Sequence, residues 1–358
     1  MRIFVINPGS TSTKIAVYEN EKAEWIHTVR HSAEELAGFS HINEQYAFRR
    51  ERILAALLAA GIENRFDAVI GRGGLVHPTP GGVYRVNEKM KQDLLDAVQE
   101  HASNLGAFLA ADWAARLGCP AYIADPVVVD ELQPRARWTG LPQIERRSIF
   151  HALNSKAVAR RYAAQAGKEY EDMDVIVVHL GGGISVSAHR HGLVVDVNNA
   201  LDGEGPFSPE RAGTLPAFQL AELCFSGKHT LQDVKKMITG KGGAVAHLGT
   251  NDLKEAEDRA IAGDRHCQAF FEAMFYTVSK EVGAMHVALT GKTEAIIITG
   301  GMAHSPYCVN MIREQIDYLA PVVVIPGEDE MGALASNAYG ALTGKLICKE
   351  YTGEKLGQ

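Results

Sequence analysis

The pattern of apolar and polar residues near the start of the chain predicts two strands joined by a polar turn. Apolar runs at 3–6 and 15–18 flank the turn Asn7-Pro8-Gly9-Ser10-Thr11-Ser12-Thr13-Lys14. Short runs rich in Ile and Val are typical of buried strands. Gly9 tolerates a positive φ, so a tight turn is expected. Its amides and hydroxyls, including those of Ser10 and Ser12, suit phosphate oxygens, although an ordinary polar hairpin is the simpler explanation of this stretch alone.

The same pattern recurs about half a chain further on. An apolar run at 175–180 leads into a glycine turn and a strand that carries hydroxyls, in the order His179-Leu180-Gly181-Gly182-Gly183-Ile184-Ser185. A constant offset of 172 relates the two stretches (179 − 7 = 172), so that Ser185 falls on Thr13. A third apolar run, 193–197, follows only the second copy. The repeat predicts a duplicated domain, and two facing phosphate-binding turns would fit one polyphosphate nucleotide between them.

The rest of the chain alternates helical and strand patterns, which predicts an α/β protein. Apolar residues recur at helical spacing over 43–60, from 88 onward through Val98, over 103–117, from 152 to about 167, and over 264–289, and a last helix is predicted at 331–342. Strands are predicted at 66–70, 121–124, 295–299 and 322–325. The predicted domains are 1–155 together with 331–358, and 156–330.

Composition and charge narrow the class of protein. The 358 residues, 46% hydrophobic and 22% charged, are enough for two domains with full cores. A net charge of −7 argues against nucleic acid or an anionic membrane as the main partner. The five cysteines are scattered, which predicts buried thiols in a reducing compartment and neither disulfides nor a zinc site. No apolar run is long enough for a signal peptide or a membrane span, so a cytoplasmic enzyme is predicted.

Several loops carry candidate functional residues at strand ends. Gly71-Arg72-Gly73-Gly74 follows the strand 66–70, and α/β sheets bind ligands at that end, which favours a function for Arg72 over a solvent-exposed loop arginine. Arg211 lies in a loop rich in glycine, proline and acids, 202–213. Asp125, before a proline at the end of the strand 121–124, is either a turn former or a Mg²⁺ ligand. Gly300 and Gly301 would let the backbone lie flat against a base or sugar.

In this order and spacing, the motifs resemble those of the acetate kinase family of short-chain fatty acid kinases, and within it the members that act on butyrate. The motifs are Asn7–Lys14, Gly71–Gly74, Phe150-His151, His179–Gly183, Arg211–Gly213 and Thr299–His304. The family belongs to the actin, Hsp70 and sugar kinase superfamily. The resemblance therefore implies two duplicated ribonuclease H-like domains with a nucleotide cleft between them. It also implies direct in-line phosphorylation of a short-chain acid such as butyrate by ATP, with Mg²⁺, in a homo-oligomer.

The resemblance also implies a role for each matching residue. Arg72 and Arg211 would hold the carboxylate and the transferring phosphoryl group, and His151 would be the active-site histidine. The first phosphate turn would be formed by Asn7, Ser10 and Ser12, and Asn7 would also be catalytic. The second phosphate turn would be formed by His179, Gly181, Gly182 and Gly183. Adenosine would contact Gly300, Gly301 and Met302, and the metal would be bound by Asp125 and Glu330, with Glu328 as the alternative to Glu330.

The chemistry explains why these residue types are needed. A carboxylate is a nucleophile at neutral pH, so no general base is required, but two anions must be brought together. Arginine forks bind both carboxylate and phosphate oxygens, and a histidine donor can stabilise the equatorial oxygens. Gly74 stands where acetate kinases carry Val, which predicts room for a longer acid and leaves butyrate, isobutyrate and similar acids open.

Two other classes of protein share the paired hairpins. A nucleotide-driven binding protein of the Hsp70 or actin kind does not need two arginines in glycine-rich loops. A sugar kinase normally uses an aspartate near the sugar hydroxyl, and Asp125 or Asp202 could take that part. A base beside two arginines would suit a sugar poorly.

Overall fold

The structure, a computed structural model, describes residues 1–97 and 101–354, and the chain forms two compact units. The first unit contains Met1–Asp130 and the segment from Asp329 onward, and the second contains Glu131–Glu328. Val98 of the predicted helix and residues 355–358 of the predicted first domain lie outside the described residues.

Strands and helices alternate in both units. The strands are β1 (Arg2–Pro8), β2 (Ser12–Glu19), β3 (Lys22–Arg30), β4 (Ala68–Arg72), β5 (Val83–Arg85), β6 (Ala121–Ala124), β7 (Asp174–Leu180), β8 (Ile184–Arg190), β9 (Leu193–Val197), β10 (Ala295–Thr299), β11 (Val322–Val324) and β12 (Cys348–Glu350). The helices are α1 (Ala33–Leu36), α2 (Tyr46–Ala59), α3 (Glu88–Leu95), α4 (Asn104–Leu117), α5 (Ala152–Gln165), α6 (Ala217–Cys224), α7 (Leu231–Thr239), α8 (Gly243–Leu248), α9 (Leu253–Ile261), α10 (Arg265–Ala288), α11 (Pro306–Ile316) and α12 (Glu330–Thr343). Short 3₁₀ helices cover Ile42–Gln45, Pro134–Ala136, Tyr170–Asp172 and Gly301–His304.

The two sheets share one topology. In the first unit the strand order is β12-β5-β6-β4-β1-β2-β3, and in the second it is β11-β10-β7-β8-β9. Each sheet begins with three antiparallel strands in meander order. Two further strands, β4 and β6 in the first unit and β10 and β11 in the second, add parallel to the first strand. This order fits the ribonuclease H-like domains that the resemblance implied, with β5 and β12 added at the edge of the first sheet.

The predicted change of domain at residues 155 and 156 falls inside α5, whereas the chain passes from the first unit to the second between Asp130 and Glu131. The segment after Asp130 is tied to the second sheet. The amide of Gln133 donates to the carbonyl of Val195 at 3.0 Å, and the amide of Ala200 donates to the carbonyl of Ile149 at 2.9 Å.

The strand register corrects the constant offset expected between the two hairpins. The turn between β1 and β2 contains residues 9–12, and the turn between β7 and β8 contains only 181–183. The offset is therefore 172 before the turn and 171 after it, and Thr13 corresponds to Ile184 (184 − 13 = 171), not to Ser185. The sequence pattern shows the flanking strands but does not show how many residues the turn leaves unpaired.

The first unit also has a third antiparallel strand, β3, that the apolar pattern did not reveal. Most of its side chains are exposed, so it lacks the apolar run that marks a buried strand. A bulge interrupts the pairing after Val17 in β2 and after Ala188 in β8 (188 − 17 = 171). The matched bulges show that the duplication extends through all three strands.

Apolar helix faces cover both sheets. In the second unit the predicted stripe of α10 is buried in the core: Phe270, Phe271, Met274, Phe275, Val278, Val282 and Met285. In the first unit α12 packs against β1 and β4. Cys267 and Cys308 are buried as predicted, but the prediction was wrong for Cys224 and Cys348, which are exposed free thiols. Within the described ranges, no helix combines the length and hydropathy that crossing a bilayer requires.

Candidate active site

The parallel pairing of β1 and β4 brings Asn7 and Arg72 to the same edge of the first sheet, because Ile6 pairs with Gly71. Glu330, the first residue of α12, lies against both side chains. Its Oε2 accepts hydrogen bonds from Asn7 Nδ2 at 2.7 Å and from Arg72 Nη1 at 3.0 Å. Arg72 Nη2 lies 2.9 Å from the other carboxylate oxygen. Arg72 thus grips a carboxylate with both terminal nitrogens, the fork geometry that also binds a substrate carboxylate or phosphate.

Asp125 lies at the same edge, because β6 pairs with β4 and Ala124 is opposite Arg72. Its carboxylate accepts a hydrogen bond from the amide of Gly82 at 2.7 Å, and its own amide donates to the Gly82 carbonyl at 3.0 Å. Its φ is 37°, a left-handed value that turns the chain. Asp125 therefore forms the turn, and its role as a metal ligand stays a prediction.

The acidic residues fit a magnesium nucleotide better than a metal held by protein alone. Among the residues that the structure describes, no three His, Cys, Asp or Glu side chains are grouped to hold a metal ion. Mg²⁺ commonly binds through one or two carboxylates together with substrate phosphates and water. Asp125 and Glu330 supply two carboxylates at one sheet edge, which suits that mode.

Glu328 and Glu330, the two acids considered as metal ligands near the end of the second predicted domain, lie in different units. Glu330 contacts Asn7 and Arg72 in the first unit. Glu328 belongs to the second unit, where its Oε1 lies 3.1 Å from His179 Nε2. The choice between them as metal ligand stays open.

A buried arginine that the sequence analysis overlooked supports the turn between β1 and β2. Arg49 of α2 is fully buried and donates hydrogen bonds to the carbonyls of Gly9 (2.8 Å), Ser12 (3.1 Å) and Ser10 (3.1 Å). Burial lowers the pKa of its guanidinium to about 10. A signal was present, because Arg49 precedes Ile53 by one helical turn on the buried face of α2.

In the second unit, two predicted histidines stack on each other. The rings of His151 and His179 are 3.8 Å apart and inclined by only 9°. His151 Nδ1 lies 3.0 Å from Ser185 Oγ, and Asn154 Nδ2 donates to His179 Nδ1 at 2.9 Å. With Nδ1 accepting, neutral His179 carries its proton on Nε2, which faces Glu328. Asn154 was missed, although it lies in the first turn of α5, three residues after His151, which directly precedes the helix.

Arg211 lies against the triple-glycine turn. A Cβ atom on Gly183 would come within 1.9 Å of Arg211 Nη1, so residue 183 must be glycine while the guanidinium occupies this position. Arg211 Nη1 also donates to the carbonyl of Ala200, and burial lowers the pKa of the guanidinium. The carbonyl of Gly182 accepts a hydrogen bond from Ser208 Oγ at 2.8 Å. The glycine turn and the loop that carries Arg211 are therefore packed against each other and hydrogen-bonded.

A cavity of about 560 Å³ opens beside this turn, within the second unit. Its walls include both the glycine turn and the diglycine after β10, through Gly181, Gly182, Gly301, Met302 and Glu328. This volume is typical of small-ligand sites. Gly300 has a φ of 90°, and a Cβ atom there would meet the Leu180 carbonyl oxygen at 2.4 Å. The structure thus brings the predicted adenosine residues next to the predicted phosphate turn.

The space that the sequence predicts beside Gly74 is occupied by Asn104 and Leu94. A Cβ atom at this position would lie 2.6 Å from Asn104 Oδ1 and 2.9 Å from Leu94 Cδ2. Gly74 allows α3 and α4 to approach the loop. The prediction that this glycine leaves space for a longer acid was wrong.

Comparison with known proteins identifies the family. Residues 141–321 match the model of the Acetokinase family. A probable butyrate kinase of Phocaeicola vulgatus is 63% identical over 354 residues, which cover 99% of this chain and 100% of that protein. The chain belongs to the acetokinase family. Butyrate kinase 2 of Clostridium acetobutylicum is 50% identical, with 98% of this acetokinase-family chain and 99% of the relative covered. The predicted family and enzyme class, a kinase that phosphorylates a carboxylate, are confirmed.

Solved structures confirm the fold class. The acetate kinase of Porphyromonas gingivalis superimposes with a TM-score of 0.77 at 18% identity, covering 95% of this chain and 99% of the other. A propionate kinase from Francisella tularensis gives 0.73 at 17% identity, covering 94% and 98%. A ROK family protein from Streptococcus pneumoniae gives 0.52 at 12%, covering 96% and 99%. At these identities the likeness concerns the fold alone.

Proposed function

We propose that this chain transfers the γ-phosphoryl group of ATP to butyrate by direct in-line displacement. A carboxylate oxygen of the acid forms a bond to the γ-phosphorus, the bond from that phosphorus to the β–γ bridging oxygen breaks, and ADP leaves. Butyryl phosphate is the other product, and no proton has to move. Relatives named butyrate kinase, 50% to 63% identical over nearly the whole chain, support this choice of acid.

One observation carries the proposal: Arg72 already holds a carboxylate, that of Glu330, with both terminal nitrogens at a sheet edge. Asn7 points at the same carboxylate. These groups can orient an acid and reduce its repulsion from a phosphate. Because a carboxylate needs no deprotonation, binding and charge neutralisation account for most of the rate enhancement.

Each unit contributes its own set of groups to the proposed reaction. The first supplies Asn7 and Arg72 for the acid, and the turn with Ser10 and Ser12 for phosphate oxygens. The second supplies Arg211, His151 and His179 for the transferring group. The glycine turn Gly181, Gly182 and Gly183 takes the nucleotide phosphates, and the segment Gly300, Gly301 and Met302 takes adenosine.

Mg²⁺, bound with the nucleotide, would neutralise charge on the phosphates. Asp125 and Glu330 are the carboxylates that would hold it, with Glu328 as the alternative. Glu330 would then also keep Arg72 in place when no acid is bound.

The setting of the enzyme is part of the proposal. The cysteines that the structure describes are all free thiols, two of them exposed, which suits the reducing cytoplasm. A net charge of −7 suits small anionic substrates held by local arginines, and not a nucleic acid or an anionic membrane. From the resemblance we infer a homo-oligomer.

The test is a series of acids with ATP and Mg²⁺, in which acyl phosphate is trapped as the hydroxamate. We expect the highest kcat/KM with butyrate in a series from acetate to valerate that includes isobutyrate. Highest activity with isobutyrate or acetate would refute butyrate as the preferred acid, and no hydroxamate with any acid would refute the kinase proposal. ADP release without added acid would favour an Hsp70-like or actin-like protein, and ADP release that depends on glucose would favour a sugar kinase.

A further inference from the structure

Arg49 is a buried cation whose partners are all neutral. It is fully buried in the first unit, behind the turn between β1 and β2. Besides the three turn carbonyls, its guanidinium donates to Thr13 Oγ1 at 3.0 Å and to Gln45 Oε1 at 3.0 and 2.8 Å. Among the described residues, no carboxylate forms an ion pair with it. Burying a charge in this way is costly unless hydrogen bonds compensate, so the arrangement calls for a reason.

The arrangement fixes which way the peptide groups of the turn face. Arg49 donates hydrogen bonds to the carbonyls of Gly9, Ser10 and Ser12, and the amide of His31 donates to the carbonyl of Thr11 at 2.9 Å. The carbonyls of Gly9, Ser10 and Ser12 thus face Arg49. In a trans peptide, the N–H of the next residue points the opposite way.

The amides of Ser10 and Thr11 therefore face away from Arg49. Within the described part of the chain, neither amide has a hydrogen-bond acceptor. Two free backbone donors on neighbouring residues of a turn, with a fixed positive charge behind them, form a typical anion-binding arrangement.

We propose that Arg49 is a positioning residue for phosphoryl transfer, which holds the carbonyls of the turn so that the amides of Ser10 and Thr11 donate to phosphate oxygens of the substrate. This inference rests on the proposed function. Arg49 itself touches no substrate.

The neighbours of Arg49 keep its charge unopposed. The ring of His31 lies 3.0 Å from Thr13 Oγ1, and burial together with the charge of Arg49 lowers the pKa of His31 to about 4. His31 is therefore neutral near neutral pH. The charge of nearby Glu35 raises the pKa of His31, but Glu35 forms its ion pair with Arg52, whose side chain is half exposed.

The test compares Arg49→Met and Arg49→Lys with a control on the same helix, Arg52→Met. Arg52 is half exposed and pairs with Glu35, not with the turn. Initial rates with ATP and butyrate are measured at a temperature where circular dichroism shows every variant folded. For Arg49→Met we expect kcat to fall by about 10-fold or more and the KM for ATP to rise, because misplaced donors cost rate, while the KM for butyrate stays within about twofold.

Arg49→Lys keeps the charge but has one nitrogen in place of the fork, so we expect at most partial recovery. The inference is overturned if Arg49→Met turns over within about twofold of the unmutated chain, or if Arg49→Lys is fully active, since charge alone would then suffice. Arg52→Met should match the unmutated chain, and an equal loss in this control would also overturn the inference.

Two further measurements cover the case in which Arg49 variants do not fold or the acid is not the substrate. Gln45→Met removes the acceptor that orients the guanidinium but keeps its charge, and we expect a smaller fall in kcat with the same pattern of KM values. No change in kcat contradicts the inference. Separately, ATP together with Mg²⁺ should raise the melting temperature of the unmutated chain and of Arg52→Met. The rise should be much smaller for Arg49→Met or, if this variant is unfolded, for Gln45→Met. This readout requires no acceptor acid, so equal rises overturn the inference even if the acid assay fails.

Discussion

The two predicted catalytic arginines sit in different electrostatic surroundings. Arg72 is paired with Glu330 inside the first unit. Arg211 donates to the backbone of Ala200, and among the described residues it makes no ion pair. Burial lowers the pKa of Arg211, which nevertheless stays charged at neutral pH because an arginine titrates far above it. A substrate carboxylate would replace or join Glu330 at Arg72, whereas the charges of Glu210 and Asp202 only partly offset the effect of burial on the pKa of Arg211 and leave its guanidinium without an ion pair among the described residues.

Replacing either arginine should abolish most of the activity. For Arg72→Ala and Arg211→Ala we expect kcat to fall by about 10³ or more, because each removes a charge that offsets repulsion between two anions. Arg313→Ala, on the exposed face of α11, is the control. Hydroxamate formation measures the rate, and near-normal turnover in Arg72→Ala or Arg211→Ala would remove that residue from the site.

Glu281 of α10 should make stability depend on pH. Burial, and then repulsion from Glu204, raises the pKa of its carboxyl from 4.5 to about 7, with Asp196 adding and Arg146 and Lys280 opposing. Between these values the folded chain keeps a proton that the unfolded chain releases. The contribution of this group to stability is therefore complete below about pH 4.5 and is lost as the pH rises to about 7.

Glu281→Gln cannot ionise and should become more stable relative to the unmutated chain over that window, by about 3 kcal/mol at its upper end. Urea unfolding at several pH values measures the difference. The control is Glu272→Gln, an exposed position on the same helix. A difference for Glu281→Gln that does not change with pH would contradict the prediction.

Helix ends and turns show how local sequence sets single elements. Asn87 caps α3 by accepting a hydrogen bond from the amide of Met90 at 2.9 Å, and Ser305 caps α11 ahead of Pro306. The strands that were missed, β3, β5 and β12, are exposed or only three residues long. Apolar periodicity cannot mark such strands, because they bury too few side chains.

A substitution in the glycine turn of residues 181–183 can test whether the position of Arg211 depends on this turn. Gly183→Ala would place a methyl group where the Arg211 guanidinium lies, so the arginine must move. We expect kcat to fall by about 10-fold or more with the fold retained, since a small displacement of a catalytic charge is costly. Gly140→Ala, where nothing lies within 4 Å, is the control. Unchanged kcat in Gly183→Ala would show that Arg211 need not occupy this position.

The duplication gives each unit the same sheet but a different set of functional groups. The first has a turn of residues 9–12 and a buried arginine behind it, and the second has a shorter turn of 181–183 beside a cavity. Under the proposed function, the same fold would supply acid and phosphate contacts in one unit and nucleotide contacts in the other. Asp125 and Glu330 are the carboxylates through which a metal would join the nucleotide.

The whole protein should therefore be stabilised by ATP only when Mg²⁺ is present. At a ligand concentration of 100 times Kd, binding to the folded state adds about 2.7 kcal/mol. Thermal unfolding with ATP and Mg²⁺, with ATP and a chelator, and with Mg²⁺ alone separates these contributions. An equal rise in melting temperature with and without the chelator would refute the metal assignment.

Local sequence determined the paired hairpins, the caps, the buried stripe of α10 and the motifs that pointed to a carboxylate kinase. These features depend on residues a few positions apart, whose periodicity and backbone preferences are visible along the chain. The number of residues in each turn escaped this reasoning, because strand pairing and not composition decides it.

Only the tertiary structure decided which distant groups meet. Arg49 is 40 residues from Gly9, and Asn7 is 323 residues from Glu330, yet each pair is hydrogen-bonded. The packing of α3 and α4 filled the space beside Gly74 that the sequence had left for an acid. Such contacts follow from how helices pack on a sheet, and no pattern within a short stretch of sequence contains that information.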